Sequence, residues 1–353
     1  MTRTVVIVGA GLAGARCAET LRAGGFDGRV VLIGEEAAAP YERPALSKEF
    51  LAGERDEVAL RPPGYWARRG IELVLGTRVT EIGSGIARTD RGYDLRWDAL
   101  VLATGARARR LSPQALALRT LEDARRLREE LRTGRRLTIV GGGFVGAEVA
   151  STAVSLGVEV TMLEQAEAPF ATTLGVEVGH VLARRYRAHG VDLQLGVDGA
   201  GPPPSGIVLG AIGAQPADEL LPGVKTDEFG QTAIPDVYAC GDVAVAWRPS
   251  LGRAVRIEHW TNAAAQGAAV ARTILGGPQP FDDVPYVWSD QFGLRLQLVG
   301  LPDRGDRVEL EGDDDAFAAT YVGPDGRERA RLLANRPQEA AAARRALAVA
   351  LAR

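Results

Sequence analysis

A glycine fingerprint that occurs twice constrains this chain of 353 residues more than any other feature. The first copy spans residues 5–14 (V-V-I-V-G-A-G-L-A-G) and the second spans residues 137–146 (L-T-I-V-G-G-G-F-V-G). Each joins an apolar run to G-x-G-x-x-G and continues into a helix-like stretch and a second apolar run that ends in Glu35 or Glu164. This order is typical of the βαβ unit that binds a dinucleotide. Two copies predict two dinucleotides, as in a flavoprotein that takes hydride from a pyridine nucleotide.

The fingerprint glycines allow a tight turn and a close approach of the backbone to a pyrophosphate at a helix N-terminus. We expect the two pyrophosphates to lie on Gly9, Gly11 and Gly14 and on Gly141, Gly143 and Gly146. The acid after each unit can accept hydrogen bonds from a ribose. Glu164 would repel the 2′-phosphate of NADPH, and the next residue, Gln165, offers no cation, so the sequence predicts NADH as the reductant.

Composition argues against several other classes of protein. Apolar residues make up 46% of the chain and charged residues 25%, which predicts a globular fold, and the net charge of −3 gives no reason to expect nucleic acid or a membrane as partner. With the first strand starting near Met1 and no long apolar run, we expect no signal peptide, no membrane span and a cytoplasmic location. Two distant cysteines and three dispersed histidines predict neither a disulfide framework nor a metal site.

The remaining pattern predicts several elements. Residues 71–97 alternate as in a β-meander, residues 99–105 read as a buried strand and a turn, and Ser47 is placed to cap a short helix. We expect a turn or linker at 201–204 and antiparallel strands from about residue 286, followed by a C-terminal helix. Helical spacing predicts helices over residues 121–132, 176–188 and about 262–274.

Several longer motifs identify a resemblance. The chain resembles the FAD-dependent NADH:ferredoxin or rubredoxin reductases of the putidaredoxin reductase and aromatic-dioxygenase ferredoxin reductase type, within the pyridine nucleotide-disulfide oxidoreductase superfamily. Besides the fingerprints, the resemblance rests on P-Y-E-R-P-A-L-S-K (40–48), A-T-G (103–105), V-Y-A-C-G-D (237–242), E-H-W-T-N-A (258–263) and W-S-D-Q (288–291).

The resemblance implies an α/β fold with two Rossmann-like dinucleotide-binding domains of three-layer type and a small α+β C-terminal domain. It places an FAD-binding domain in residues 1–108 and 236–285, an NAD-binding domain in 109–235 and the C-terminal β domain in 286–353. In this chain only a short stretch separates the helix ending near His189 from the strand at Ile207, so we expect a shortened NAD-binding domain.

The resemblance also implies roles for single residues. Lys48 would reach the flavin edge and Glu148 would lie where nicotinamide arrives, with Trp260 near the stacked rings and Trp288 on the side of the iron–sulfur partner. A cation beside the ring would favour the reduced flavin. Arg295 is a candidate for a basic docking face. Further cofactor-binding positions are Glu35, Arg43, Val79, Ala103, Thr104, Gly105, Gly241, Asp242, Glu258 and His259.

The favoured hypothesis is an FAD enzyme that takes hydride from NADH and passes single electrons, through transient contact, to a ferredoxin or rubredoxin of an oxygenase system. Cys17 and Cys240 read as small buried residues, so we expect no thiol chemistry. We expect a monomer or weak dimer. Two alternatives stay open: a flavoenzyme that reduces oxygen, a quinone or another small acceptor directly, and a redox-signalling flavoprotein that binds NADH.

Overall fold

The computed structural model of the protein describes residues 3–197 and 206–351, so the predicted turn at 201–204 lies outside the described residues. Helices form at α1 (Leu12–Ala23), α2 (Glu49–Ala52), α3 (Tyr65–Arg68), α4 (Leu121–Leu131), α5 (Phe144–Ser155), α6 (Val176–Ala188), α7 (Trp260–Ile274) and α8 (Pro337–Leu351). Strands form at β1 (Thr4–Val8), β2 (Arg29–Ile33), β3 (Ile71–Val74), β4 (Val79–Gly83), β5 (Ile86–Thr89), β6 (Asp94–Arg96), β7 (Ala99–Leu102), β8 (Ala106–Ala108), β9 (Leu137–Val140), β10 (Val160–Glu164), β11 (Asp192–Leu195), β12 (Ile207–Gly210), β13 (Ala214–Pro216), β14 (Lys225–Thr226), β15 (Val237–Ala239), β16 (Val245–Arg248), β17 (Arg253–Val255), β18 (Tyr286–Gln291), β19 (Leu294–Gly300), β20 (Arg307–Gly312), β21 (Phe317–Val322) and β22 (Glu328–Ala334).

The chain divides into two compact units. The first unit comprises the described residues of Met1–Glu42, Ala59–Arg107 and Pro216–Asp283, and the second those of Arg43–Val58, Ala108–Gln215 and Val284–Arg353. The segment Arg43–Val58 therefore packs within the second unit, together with the second fingerprint. The domain boundaries expected from the resemblance stay predictions.

The first unit is built on a parallel sheet of five strands in the order β15-β7-β1-β2-β3. Successive side chains of a strand point to opposite faces, and β1 shows this alternation. Val5 and Ile7 pack with α1 and α7 on one face. Val6 and Val8 pack on the other face with residues of β4, β5 and β6. The first unit therefore has the three layers that the resemblance implied.

The predicted β-meander is correct for only part of its range. Strands β4, β5 and β6 form an antiparallel sheet, but β3 pairs in parallel with β2 and joins the main sheet. A run of apolar residues does not reveal which neighbour it will pair with, because pairing is decided by the strands that lie beside it.

The second unit contains a parallel sheet of four described strands in the order β11-β10-β9-β12. Helix α5 follows β9 directly, as the fingerprint predicts, and α6 packs against β11. The helix predicted over 176–188 is confirmed as α6, and the helix predicted from about residue 262 begins two residues earlier, at Trp260.

The C-terminal part of the second unit is an antiparallel sheet in the order β18-β19-β22-β21-β20. Helix α8 covers it, with Ala340, Ala343 and Leu347 packed on Val299 and Leu333. Strand β18 also lies against α5, which connects the W-S-D-Q segment to the second fingerprint helix. Two parallel α/β sheets and an antiparallel C-terminal sheet confirm the predicted α/β fold class.

Candidate functional site

The first glycine loop is built to hold a phosphate group. Gly9 has φ +116, and a Cβ there would overlap the carbonyl oxygen of Ala103. A Cβ at Gly14 would overlap the carbonyl oxygen of Gly9. A Cβ at Gly11, in contrast, would meet no protein atom within 4 Å, and no side chain caps the start of α1 there. The amides at the N-terminus of α1 therefore face space that suits an anion.

The acid of the first loop lies at the carboxyl end of β2. Its side chain is half exposed, and Glu35 Oε2 pairs with Arg107 Nη1 at 2.9 Å. Arg107 also pairs with Glu219 at 3.2 Å. The sequence predicted Glu35 as a ribose acceptor but did not point to Arg107.

The ends of β7 and β15 bring the other predicted positions of the first unit to the same edge of the sheet. Ala103, Thr104 and Gly105 follow β7, and Thr104 Oγ1 donates to the carbonyl of Ala217 at 2.6 Å. Gly241 and Asp242 follow β15. Ligands of doubly wound sheets bind beyond the carboxyl ends of the strands, which is where these residues lie.

Gly241 is fixed by a residue that the sequence analysis missed. Its amide donates to Gln266 Oε1 of α7 at 2.8 Å, and its φ is +78. Val79 begins β4 and is buried, so it remains a position that offers only backbone groups.

The turn at Glu258, His259 and Trp260 leads into α7. Burial lowers the pKa of His259 to about 4, and the nearby charge of Asp242 opposes this shift. Its Nδ1 is buried and has no hydrogen-bond partner among the residues that the structure describes. An unpaired polar atom beside Asp242 suits a ligand with polar groups. Glu258 Oε1 pairs with Arg256 at 2.5 Å, and Trp260 packs on the core beneath α7.

A buried arginine supports this turn. Arg248 is 2% exposed and its Nη2 donates to Asn262 Oδ1 at 3.0 Å. Asn262 Nδ2 donates in turn to the carbonyl of Ile257 at 3.0 Å. The asparagine of E-H-W-T-N-A therefore holds the start of its own motif, which explains why an amide side chain stands there.

The second glycine loop repeats the first. Gly141 has φ +107, and a Cβ there would overlap the carbonyl oxygen of Ala211. A Cβ at Gly146 would overlap that of Gly141, whereas one at Gly143 would meet nothing within 4 Å. Helix α5 starts at Gly143 without a side-chain cap. This loop therefore also offers free amides to an anion, and the geometry of both loops fits the pyrophosphate of a dinucleotide.

Glu164 is held more tightly than its counterpart Glu35. Its Oε2 accepts from the Gly142 amide at 2.7 Å and its Oε1 accepts from the Ala166 amide at 2.8 Å. Nearby, Phe170 adopts φ +59 and its ring contacts Phe144 edge to face at 4.8 Å. The local sequence gave no signal for Phe170, whose unusual backbone places its ring against the loop.

Polar side chains surround the buried carboxylate of Glu148 in the second unit. Lys48 Nζ pairs with Glu148 Oε1 at 2.7 Å. Ser289 Oγ donates to the same oxygen at 2.7 Å, and Ser47 Oγ donates to Oε2 at 2.5 Å. The family resemblance implied that Lys48 and Glu148 act together, and the structure joins them directly. It also adds two serines that the sequence did not assign.

The prediction that Ser47 caps a helix is wrong. Residues Arg43–Ser47 form a 3-10 turn, and the residue before α2 is Lys48, whose side chain makes no cap. Ser47 is buried and its hydroxyl bonds Glu148 instead. A buried carboxylate requires donors, and that requirement outweighs a local capping preference.

Three other predicted residues lie in the second unit. Arg43 Nη1 donates to the carbonyl of Arg119 at 2.6 Å. Trp288, on β18, stacks on Tyr286 with the ring centres 6.3 Å apart. Arg295 is more than half exposed, and its Nη1 lies 3.9 Å from Asp290 Oδ1.

Both cysteines are free thiols of the first unit. Both are buried, and burial raises the pKa of Cys17 well above the ordinary value and that of Cys240 to about 12. The thiolate is the reactive form, and burial disfavours it at both positions. Among the described residues, no group of acidic, histidine or cysteine side chains could hold a metal ion, and no helix is long and apolar enough to cross a membrane.

Comparison with known proteins agrees with this geometry. Residues 3–199 and 205–267 match the model of the pyridine nucleotide-disulphide oxidoreductase family, and residues 286–352 match that of the reductase C-terminal family. The chain is 38% identical over 357 residues to the 5,5'-dehydrodivanillate O-demethylase ferredoxin reductase subunit of Sphingobium sp., covering 90% of this chain and 86% of that protein. It is 36% identical over 373 residues to the ferredoxin–NAD(+) reductase component of the p-cumate 2,3-dioxygenase system of Pseudomonas putida, covering 97% and 92%.

Among solved structures, the covalent putidaredoxin reductase–putidaredoxin complex is similar with a TM-score of 0.92 and 33% identity, covering 98% of this chain and 93% of that one. These matches extend over both glycine loops and the C-terminal sheet. The chain therefore belongs to the pyridine nucleotide-disulphide oxidoreductase family and carries its reductase C-terminal region.

Proposed function

We propose that this chain is the flavoprotein of an oxygenase electron-transfer system, which binds FAD, oxidises NADH and reduces a ferredoxin. The observation that carries the proposal is the pair of glycine loops, one in each unit, each with an uncapped helix N-terminus and a carboxylate after the adjacent strand. Relatives that are 36% and 38% identical are ferredoxin reductases by name, which supports ferredoxin as the acceptor.

The reaction balances as NADH plus two oxidised ferredoxins giving NAD⁺, two reduced ferredoxins and one proton. When bound, FAD supplies the acceptor for the hydride and the means to release the two electrons singly. The protein binds and orients the two nucleotides, excludes water and fixes the charges around them.

In this proposal several residues of the first unit bind FAD. The α1 amides bind the pyrophosphate and Glu35 binds the adenosine ribose, with Val79 offering backbone groups to the adenine. Asp242 binds a ribityl hydroxyl, and the unpaired Nδ1 of His259 supports a polar group beside it. The remaining FAD positions are Gly9, Gly11, Gly14, Arg43, Ala103, Thr104, Gly105, Gly241, Glu258 and Trp260.

The second glycine loop binds NADH. Gly141, Gly143 and Gly146 hold the pyrophosphate, and Glu164 accepts from the adenosine ribose. The Gly142 and Ala166 amides already fix the direction of the Glu164 carboxylate. A carboxylate held in that place repels a 2′-phosphate, so the proposal includes a preference for NADH over NADPH.

Lys48 and Glu148 act on the redox step. Glu148 fixes the Lys48 ammonium through the 2.7 Å ion pair. With FAD bound, that ammonium would stabilise the more electron-rich ring, and Glu148 would face the nicotinamide. In this proposal Trp260 would form an aromatic wall near the rings, and Trp288 would face the iron–sulfur partner. The buried cysteines support an outcome in which electrons leave without a thiol intermediate.

The carrier interaction is transient, and Arg295 belongs to its basic docking face. Electrostatic docking of this kind weakens as ionic strength rises. A cytoplasmic location, where NADH is available, and a monomeric or weakly dimeric state complete the proposal.

An anaerobic absorbance titration tests the proposal. About one equivalent of NADH should bleach the flavin band, and adding an oxidised plant-type or Rieske-type ferredoxin should restore it with two carriers reduced per NADH. Rapid reoxidation by oxygen or a quinone, with no response to any ferredoxin, would favour a small-acceptor enzyme. A long-lived reduced state with every acceptor would favour a signalling flavoprotein.

A further inference from the structure

A chain of buried hydrogen bonds leads away from Glu148 and has no part in the function proposed above. Gln291 Nε2 donates to Ser289 Oγ at 3.2 Å, and the Tyr186 hydroxyl bonds Gln291 Oε1. Ser289 then donates to Glu148 Oε1 at 2.7 Å. All of these side chains are buried, with Gln291 2% exposed and Ser289 and Tyr186 fully covered. A tyrosine on α6 is thereby connected to the carboxylate on α5 through two side chains of β18.

The direction of these bonds follows from the charge at one end. Ionised Glu148, paired with Lys48, can only accept, so the Ser289 hydrogen must point toward it. Ser289 Oγ can then accept from Gln291, which places the amide nitrogen of Gln291 on the serine side and its oxygen on the Tyr186 side. The opposite amide orientation would turn the Ser289 hydrogen toward Gln291 and leave the buried carboxylate one donor short.

Tyr186 is suited to fix that amide. Burial raises the pKa of Tyr186 well above its ordinary value, and the charge of Glu148 raises it further, so the hydroxyl stays a donor. Its ring contacts Phe292 at 4.8 Å, which holds the side chain in place next to Gln291. Tyr186 therefore selects the amide orientation in which Gln291 donates toward the carboxylate.

Both oxygens of the Glu148 carboxylate accept hydrogen bonds. Lys48 and Ser289 bond Oε1, whereas Ser47 bonds Oε2 from the 3-10 turn Arg43–Ser47. The donors come from two segments of the second unit, residues 47–48 and strand β18, so the plane of the carboxylate is fixed. A fixed plane sets where the Lys48 ammonium lies, since that ammonium pairs with one oxygen.

We propose that Tyr186, Gln291 and Ser289 are positioning residues for the redox step, which set the direction of the Glu148 carboxylate and through it the Lys48 ammonium. This inference rests on the proposed function of Lys48 and Glu148. It predicts that the rate of hydride transfer to the flavin depends on the hydrogen bond that the Gln291 amide donates to Ser289. Gln291 affects that rate only through Ser289 and Glu148.

The sharpest test is Gln291→Glu in the FAD-bound enzyme. A carboxylate at this position cannot donate to Ser289, so the serine hydrogen turns away from Glu148. The matched control is Gln297→Glu on the neighbouring strand β19. This buried glutamine donates to the Tyr286 hydroxyl at 2.7 Å and is not one of the residues that connect Tyr186 to Glu148. Both changes introduce one acid into the same sheet.

In stopped-flow reduction by saturating NADH, we expect Gln291→Glu to lower the limiting rate about 10- to 100-fold, the scale of a lost hydrogen bond to a charged group, with the Kd of NADH and the FAD content unchanged. Gln297→Glu should remain within about twofold of the wild type. An independent readout is the infrared carboxylate stretch of Glu148, assigned by its loss in Glu148→Gln. That band should shift in Gln291→Glu and stay in place in Gln297→Glu.

If Gln291→Glu does not retain FAD, a tyrosine pair tests the same point. Tyr186→Phe removes the residue that orients Gln291, and Tyr321→Phe removes a buried hydroxyl that donates to the carbonyl of Leu174 at 2.8 Å in the same unit. A structural role alone would lower the free energy of unfolding in both variants and leave both reduction rates unchanged. Only Tyr186→Phe should slow reduction, by about 3- to 10-fold, the scale of one hydrogen bond.

The outcomes separate this inference from the proposed function. Wild-type flavin that NADH does not reduce would contradict the proposed function itself. Normal wild-type reduction with equal rates in Gln291→Glu and Gln297→Glu, or in the tyrosine pair, together with an unmoved Glu148 band, would overturn the positioning inference alone.

Discussion

The two glycine loops share one backbone geometry but hold their acids in different ways. In both loops the first and third fingerprint glycines lie against backbone carbonyls, and the middle glycine faces open space. Glu164 accepts two backbone amides at 2.7 and 2.8 Å. Glu35 instead forms an ion pair with Arg107 at 2.9 Å, in which the side chains are 50% and 42% exposed.

The difference shows that the fingerprint specifies the phosphate cradle and leaves the acid to its surroundings. A carboxylate bonded by the loop backbone keeps its direction as long as the loop is folded. A half-exposed ion pair contributes at most about 1 kcal/mol and is screened by salt. We therefore expect changes at the second loop to alter nucleotide selection, and changes at the first loop to alter FAD affinity only weakly unless they reach the glycines.

The largest expected effect separates the loops by cofactor. Gly14→Ala places a methyl group on the Gly9 carbonyl, so α1 must move and FAD affinity should fall more than about 100-fold, giving a colourless protein. Gly146→Ala does the same on Gly141 and should leave the protein yellow while the Kd of NADH rises on a similar scale. The flavin spectrum and NADH titrations measure both.

Gly83→Ala, where a Cβ meets nothing within 4 Å, is the control and should change neither property. Loss of FAD from both loop variants alike would contradict the assignment of one cofactor to each loop.

A second contrast, between Glu148 and His259, concerns how stability depends on pH. The carboxylate of Glu148 accepts hydrogen bonds on both oxygens, whereas partly buried His259 has a buried Nδ1 without a hydrogen-bond partner among the described residues and a pKa lowered to about 4. The unfolded chain, with a histidine pKa of about 6.5, binds the extra proton between these two values, so stability is lost as the pH falls through this window. At pH 5 the loss should reach about 2 kcal/mol.

Urea unfolding of the wild type and of His259→Gln at pH 7 and pH 5 measures this loss of stability. The variant should lose about 2 kcal/mol less than the wild type over the same pH interval, since glutamine does not titrate. Equal losses would show that His259 is not protected from protonation.

A smaller effect is expected from substitution of the two acids, Glu164 and Glu35. Glu164→Gln removes the charge that we propose would face a 2′-phosphate, so the ratio of NADH to NADPH kcat/KM should fall about tenfold, which corresponds to about 1.4 kcal/mol. Glu35→Gln is the matched variant in the first loop and should leave that ratio unchanged. Steady-state assays with both nucleotides decide the point, and an unaltered ratio in Glu164→Gln would assign nucleotide preference to another residue.

The smallest effect is expected at Arg107. Arg107→Gln breaks the exposed pair with Glu35 and should weaken FAD binding by no more than about threefold at low salt and by less at high salt. Equilibrium titration of the apoprotein with FAD at two salt concentrations provides the measurement. A loss of tenfold or more would mean that Arg107 contacts the cofactor itself.

Sequence patterns predicted those features of the molecule that depend on residues close together in the sequence. The glycine loops, the helices beginning at Leu12 and Phe144, and the acids at the strand ends all follow from local order. Lys48 and Glu148 were paired through the family resemblance, and the direct ion pair between them needed the structure.

The partners of Glu148 could not be predicted in the same way. Ser47 is 101 residues away from it and Ser289 is 141 residues away, so no local spacing relates them. Ser47 was misinterpreted as a cap because its local signal is genuine but weaker than the demand of a buried carboxylate for donors. Gln266 and Arg248 were missed for the same reason, since their roles depend on which element folds against them.

The most direct test of the central claim is an anaerobic NADH titration of the wild type beside Gly146→Ala, both loaded with FAD. We predict that one equivalent of NADH bleaches the wild-type flavin, whereas Gly146→Ala stays yellow with NADH and is bleached by dithionite. An unbleached wild-type flavin, or equal bleaching of the two proteins by NADH, would contradict the assignment of the second glycine loop to the hydride donor.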